Sequence, residues 1–328
     1  MRATRARPRR RSRLFPNKLR AVFFGTSAFA VPALRATAAV CDCSLVVTQP
    51  DRPAGRGQRL RPAPVKVAAL ASGIPTIEPA RLREAQAALA AEAADVFVVA
   101  SYGQLVPPAI LALPKALALN VHPSRLPCYR GATPLQSQLR DGLRESGVTI
   151  IAMDAGMDTG DVVIQARSPI GERETYGELH DRFAGLGAEL LRRALAQLAD
   201  GSLVRTPQSA LGVSESEIAR TATRPLTKDD LAIDPAWSPA RVVDHVRAFS
   251  PSPAARVTIA VGGAPETFKV LRARIAEPTA AAGDAFLYRC GDGGVVAFER
   301  VVPAGRAAMS GAEFSRLLER RNVSAAKS

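Results

Sequence analysis

The sequence predicts a doubly wound α/β domain followed by a small β-rich domain, and three observations point there. Short, nearly continuous apolar runs alternate with helix-compatible stretches from residue 19 to about 205. A polar segment, residues 206–223, interrupts that alternation. Beyond it, residues 224–318 hold short apolar segments separated by Gly and Pro, a pattern that favours a barrel. A length of 328 residues accommodates two domains with separate cores.

Taken in order, residues 1–18 form a basic leader with no apolar stretch, so it is no secretory signal. Its arginine-rich, acid-free composition is reminiscent of an organellar transit peptide. We expect instead a disordered leader, because it has too little apolar surface to order itself. Strand signals start at Ala21–Phe24, which ends in Gly25-Thr26-Ser27 and leads into a helical pattern. "SLVVTQP" repeats the strand signal, "EAQAALAAEAA" reads as helix, and "DVFVVAS" is apolar enough for a fully buried strand. "KALALNVH" and "GVTIIAMD" supply two more strands, and a long amphipathic helix from Tyr176 is closed by Gly201. In the second domain "ARVTIAV", "TFKVLRARI", "AFLYRC" and "GGVVAFERVV" read as strands.

The net charge of +14 is unevenly placed. Residues 1–20 carry nine Arg or Lys and no acid, leaving about +1 for residues 21–220 and +4 for residues 221–328. A mildly basic body with its excess toward the C-terminal end fits contact with a polyanion without demanding it. Cys41, Cys43, Cys128 and Cys290 form no metal-binding spacing, so no metal is expected, and Cys41 and Cys43, alternating as in a strand, read as small apolar fillers. The longest uncharged run, Val96–Pro114, is broken by Gly103, Pro107 and Pro108 and is no membrane helix.

Three stretches carry chemistry. In "LNVHPSRLPCYRGATP", Asn120 and His122 lie two apart on a strand and project to one face at its carboxyl end. Open α/β sheets bind ligands there, and an amide donor beside a tunable base suits polarising a carbonyl while a proton is taken. An isolated Asn-x-His, however, more often has its histidine satisfying a loop carbonyl. In "MDAGMDTGD", Asp154, Asp158 and Asp161 alternate with turn-forming glycines at a spacing unlike a calcium loop. A carboxylate brought near His122 would orient the imidazole and stabilise its charged form; otherwise this is a solvated acidic turn. The long loop "TQPDRPAGRGQRLRPAPVK" carries five basic residues against one Asp. Arginines on such a loop suit phosphates and stacked bases, against the alternative of a solvated charge run.

Together with the opening "FFGTSAFAVPAL", "SYGQLVP", "RAFSPSP" and "PAGRAAMS", these stretches resemble the methionyl-tRNA formyltransferases from about Leu19 to Met309. The Asn-x-His and Gly-Met-Asp-Thr-Gly-Asp elements are similar to those of many enzymes that use 10-formyltetrahydrofolate, and "TQPDRPAGRG" to the tRNA-specific members. The resemblance implies a Rossmann-like formyl-folate-binding domain over residues 19–205 and an OB-like tRNA-binding domain over 224–318. It implies transfer of the formyl group of 10-formyltetrahydrofolate to initiator methionyl-tRNA, with Asn120, His122 and Asp158 as the catalytic trio. Ser124, Arg125, Leu126 and Pro127 match the folate-contacting turn, and Arg56 the arginine that meets the tRNA acceptor end. Arg52, Arg59 and Lys66 on the same loop are further expected tRNA contacts. A bacterial-type cytoplasmic monomer is expected.

Two departures stand out. The family's Ser-Leu-Leu-Pro-Arg turn here reads Ser124-Arg125-Leu126-Pro127-Cys128, which puts its side-chain contacts in doubt. Its "FNPWP"-like segment is "FSPSP", Phe249–Pro253, without the Trp. The rival expectations are a folate-dependent formyltransferase acting on a small amine and a catalytically silent RNA-binding protein on the same fold. The basic loop argues against the first, and the intact trio against the second.

Overall fold

The computed structural model describes residues 18–54, 59–277, 279 and 283–325. Residues 1–17 of the leader, and Arg56, lie outside these. Contacts divide the chain into two compact units: Met1–Pro127, Gly147–Arg167 and Phe183–Glu215 form the first, and Cys128–Ser146, Ser168–Arg182 and Ser216–Ser328 the second.

The elements of the α/β part follow the alternation of the sequence. They are β1 (Arg20–Gly25), α1 (Val31–Val40), β2 (Asp42–Val47), β3 (Arg52–Ala54), β4 (Arg59–Arg61), α2 (Pro64–Ala71) and β5 (Thr76–Ile77). Then come α3 (Gln86–Ala91), β6 (Val96–Ala100), α4 (Pro108–Leu111), β7 (Leu117–His122), α5 (Pro134–Arg140), β8 (Glu145–Ala152), β9 (Asp161–Pro169) and α6 (Tyr176–Asp200). One sheet runs β5-β2-β1-β6-β7-β8-β9. Pairing is parallel from β5 through β7, as the buried apolar strands predict, and turns antiparallel at β7–β8. Only residues 153–160 connect β8 to β9, too few for a parallel crossover. Neither β5 nor β9 was expected: β5 has two residues, and β9 carries Gln165 and Arg167 where an apolar run would announce it. One face of the sheet is sealed by Phe24, Phe97 and Tyr102, with Leu82, Leu89 and Ile110 from the flanking segments. Phe24 meets Phe97 at 5.0 Å between ring centroids and Tyr102 edge-on at 5.7 Å.

The rest of the chain forms α7 (Glu215–Thr221), α8 (Pro239–Phe249), β10 (Ala255–Val261), β11 (Ala264–Ala276), β12 (Phe286–Arg289), β13 (Val295–Pro303), β14 (Met309–Ser310) and α9 (Gly311–Ala325). All four apolar segments read as strands become β10 to β13, ordered β10-β11-β13-β12, with β14 added to β13. Every pairing in this sheet is antiparallel. Its core is aromatic: Phe268 lies 4.5 Å from Phe314 of α9 and 6.2 Å from Phe298, and Tyr288 stacks on Phe298 at 5.1 Å.

His245 of α8 is buried between the rings of Trp237 and Phe249, 4.8 Å from each, and its Nε2 has no partner. Burial pushes its imidazole down from 6.5 to about 4, with Arg140 and Arg241 adding to the effect against Leu231 and Asp230. The unfolded chain therefore binds a proton that the folded one refuses between those values. Stability is full above pH 6.5 and falls as pH drops toward 4, by about 3 kcal/mol from this group. Urea titrations at pH 7 and 4.5 should show a smaller acid loss in His245→Phe than in the unaltered protein. An equal loss in both would exclude this histidine as a cause.

Candidate active site

Strand alternation does what the sequence requires of it: Asn120 and His122 leave β7 on one face, and both reach the same oxygen. Asn120 Nδ2 donates to Asp158 Oδ1 at 3.4 Å, and His122 Nδ1 lies 3.6 Å from that oxygen. The second distance is that of an electrostatic pair rather than of a direct hydrogen bond. The His122 side chain is 5% exposed and that of Asp158 16%, so the pair is shielded from water on most sides. Their register is fixed through the sheet, with Asn120 opposite Val99 of β6 and Ile151 of β8, and His122 opposite Thr149.

The β8–β9 loop presents Asp158 by dividing labour among its carboxylates. Asp154 Oδ1 accepts from the Gly156 N–H at 3.0 Å and the Thr159 hydroxyl at 2.6 Å, which folds the loop on itself. Asp158 sits at φ 57°, a left-handed position that Asp tolerates better than most residues. Asp161 begins β9. A Cβ at Gly160 would stand 2.0 Å from the Ala152 carbonyl oxygen, so the loop closes only on glycine. One residue that the sequence did not mark completes it. Gln208, buried in the stretch read as a linker, donates from Nε2 to the backbone oxygens of Asp158 and Gly160, each at 2.8 Å. A two-way backbone pairing of Val162 with Thr206 brings that stretch beside β9.

The Ser124–Pro127 turn is held from beneath by Thr149. Its hydroxyl donates to the Ser124 carbonyl at 2.7 Å and accepts from the Leu126 N–H at 3.2 Å. Gln165 donates to the Leu126 carbonyl and to the Thr149 hydroxyl, both at 2.9 Å. The Leu126 side chain is buried against Ile151 and Val162. Both backbone polar groups of Leu126 are thus already engaged, and Leu126 contributes shape to the turn. At the carboxyl ends of β1, β2 and β6, the Thr26 hydroxyl donates to the Tyr102 carbonyl at 2.7 Å, and Gln49 Nε2 donates to the same oxygen at 3.1 Å.

Within the basic loop β3 and β4 pair antiparallel, with Arg52 opposite Arg61 and Ala54 opposite Arg59. Arg52 donates to Gln49 Oε1. Lys66, on α2, holds Glu78 at 2.8 Å and Asp51 at 3.0 Å, and those carboxylates keep its ammonium pKa above the usual value. Its charge therefore anchors Asp51 beside β3. Burial raises the thiols of Cys41 and Cys43 to about 12 and that of Cys128 in the same direction, which disfavours the nucleophilic thiolate. Among the described residues no group of three or more His, Cys, Asp or Glu is arranged to hold a metal ion, and no helix is long and apolar enough to cross a membrane.

The formyl transferase family model matches residues 19–195, and that of the family's C-terminal domain matches residues 225–318. Over 305 residues the chain is 42% identical to a methionyl-tRNA formyltransferase of Methylobacterium sp. (strain 4-46), covering 91% of this chain and 96% of the relative. The chain belongs to the methionyl-tRNA formyltransferase family. A second family member, from Bordetella petrii, is 43% identical over 288 residues, covering 84% of this chain and 87% of its own. Among solved structures, the N-formyltransferase of Helicobacter canadensis in complex with folinic acid and dTDP-3-aminofucose matches with a TM-score of 0.61. It covers 85% of this chain and 98% of its own at 17% identity, a likeness of fold alone.

Proposed function

We propose that this chain transfers the formyl group of 10-formyltetrahydrofolate to the free α-amine of initiator methionyl-tRNA, giving N-formylmethionyl-tRNA. Family membership supports this reading, and the convergence of Asn120 and His122 on one Asp158 oxygen is the observation that carries it. In the transfer the amine nitrogen bonds to the formyl carbon, the bond from that carbon to folate N10 breaks, and an amine proton ends on N10. Asn120 donates to the carbonyl oxygen as negative charge gathers there, a contribution of about 3 kcal/mol in comparable sites. His122 helps to place that oxygen and accepts or relays the proton, since only a neutral amine attacks a carbonyl. Asp158 orients the imidazole. The Ser124–Pro127 turn lines the folate side, with Arg125 as its variable side chain. Arg52, Arg56 and Arg59 meet the tRNA, and Lys66 serves by anchoring Asp51 beside β3.

In the same reading residues 19–205 are the catalytic domain, 206–223 a linker and 224–318 the tRNA-binding domain of a monomeric cytoplasmic enzyme. The test offers the purified protein the folate donor with methionylated initiator tRNA, with an amino-sugar nucleotide, or with glycinamide ribonucleotide. Transfer to the tRNA alone is expected; transfer only to a small amine would overturn the assignment. In the same assay Arg56→Ala should raise the KM for tRNA about tenfold and leave that for folate unchanged. Unchanged tRNA kinetics would return the loop to a structural role.

A further inference from the structure

The second unit contains a cleft that the reaction above leaves unused. On the first turn of α6, Tyr176 and His180 are four residues apart and meet edge-on with ring centroids 5.7 Å apart. On the facing strands Arg272 of β11 is paired directly opposite Arg300 of β13. Like charges in that relation repel. Arg272 relieves part of the repulsion by donating to Glu178 at 2.5 Å and to the Arg173 carbonyl at 3.3 Å. The Arg300 side chain is exposed and forms no side-chain hydrogen bond or close ion pair among the described residues, although its charge acts on the Glu313 carboxylate. Ser250, Pro251 and Ser252, just beyond α8, supply a third wall with small side chains. These walls border an open cleft of about 570 Å³.

We propose that this cleft binds one unpaired nucleotide of the tRNA substrate, an inference that rests on the function proposed above. The volume falls within the range of small-molecule sites and is ample for one nucleotide. The arginine pair suits a phosphate, and the exposed Arg300 guanidinium, with no carboxylate in a close ion pair, has donors to offer one. The Tyr176–His180 wall suits the face of a base, the means by which proteins hold unstacked RNA nucleotides. Glu178 and Asp181 at the rim accept from a ribose hydroxyl or an exocyclic amine and disfavour a bare dianion. A simple phosphate would leave the ring wall idle, and an apolar ligand would leave the arginines idle. A nucleotide uses both.

The experiment measures binding of methionylated tRNA by fluorescence anisotropy between about 50 and 200 mM salt, alongside transfer kinetics. Arg300→Ala should weaken binding about tenfold and reduce the log–log salt slope by about 1, whereas Arg300→Lys keeps the slope. Tyr176→Ala removes a ring of the stacking wall and should weaken binding about tenfold with the slope unchanged, because stacking rather than charge is lost. All three should keep kcat at saturating tRNA. A wild-type slope in Arg300→Ala, or wild-type affinity in a folded Tyr176→Ala, overturns the proposal; should Tyr176→Ala unfold, Arg300→Ala decides alone. The unaltered protein separates the two levels, since its failure to bind or formylate tRNA would sink the function, not the cleft alone.

Discussion

Asp158→Asn and His122→Ala should each lower kcat for formyl transfer by about two to four orders of magnitude, with tRNA affinity within about twofold of the unaltered protein. Asn is the informative replacement at 158. It tolerates the left-handed backbone there, at φ 57°, and leaves Asp154, Gly156 and Thr159 to fold the loop as before. What it removes is the charge that Asn120 and His122 share at 3.4 and 3.6 Å. An imidazole that is 5% exposed has little water to replace that partner, so its tautomer and orientation lose the support of the charge. His122→Ala removes the proton acceptor itself. Single-turnover measurements with both substrates saturating isolate this step from binding. Wild-type-like turnover in either variant would remove that residue from the chemistry.

How far the sequence announces this site differs between its parts, for physical reasons. The strand period of two is enough to put Asn120 and His122 on one face, because side chains alternate faces along a strand whatever its register. Asp158 is visible because its loop needs glycines, and at Gly160 a backbone oxygen 2.0 Å from any Cβ explains why. The sheet's antiparallel end was harder to anticipate. β9 has mixed polar and apolar residues, and its presence follows from the short loop after β8 rather than from its own pattern. Lys66 shows a different limit. In sequence it is one more cation on a basic loop, and only the fold brings Glu78 within 2.8 Å of its ammonium. Gln208 was unreadable for the same reason, since the two carbonyls that define its task lie 50 and 48 residues earlier in the chain.

Gln208→Leu should lower kcat about ten- to a hundredfold while leaving the KM for both substrates near normal. The side chain is buried and gives one amide group to the carbonyls of Asp158 and Gly160. Leu fills similar space but leaves those oxygens without that donor, at a cost of about 1–3 kcal/mol for each one left unsatisfied. The cheapest relief is for the 158–160 backbone to turn toward water, which draws the Asp158 carboxylate away from His122. Gln208→Glu should be at least as damaging, because an ionised carboxylate would confront two carbonyls with no hydrogen to offer. A lowered melting temperature alone would not separate this positioning role from ordinary destabilisation. The double variant Asp158→Asn/Gln208→Leu does separate them. If Gln208 acts on catalysis through Asp158, removing it after the charge has gone should add less than about threefold to the loss. Full multiplication of the two single effects would mean that Gln208 acts elsewhere, and its bonds to the loop would then be structural only.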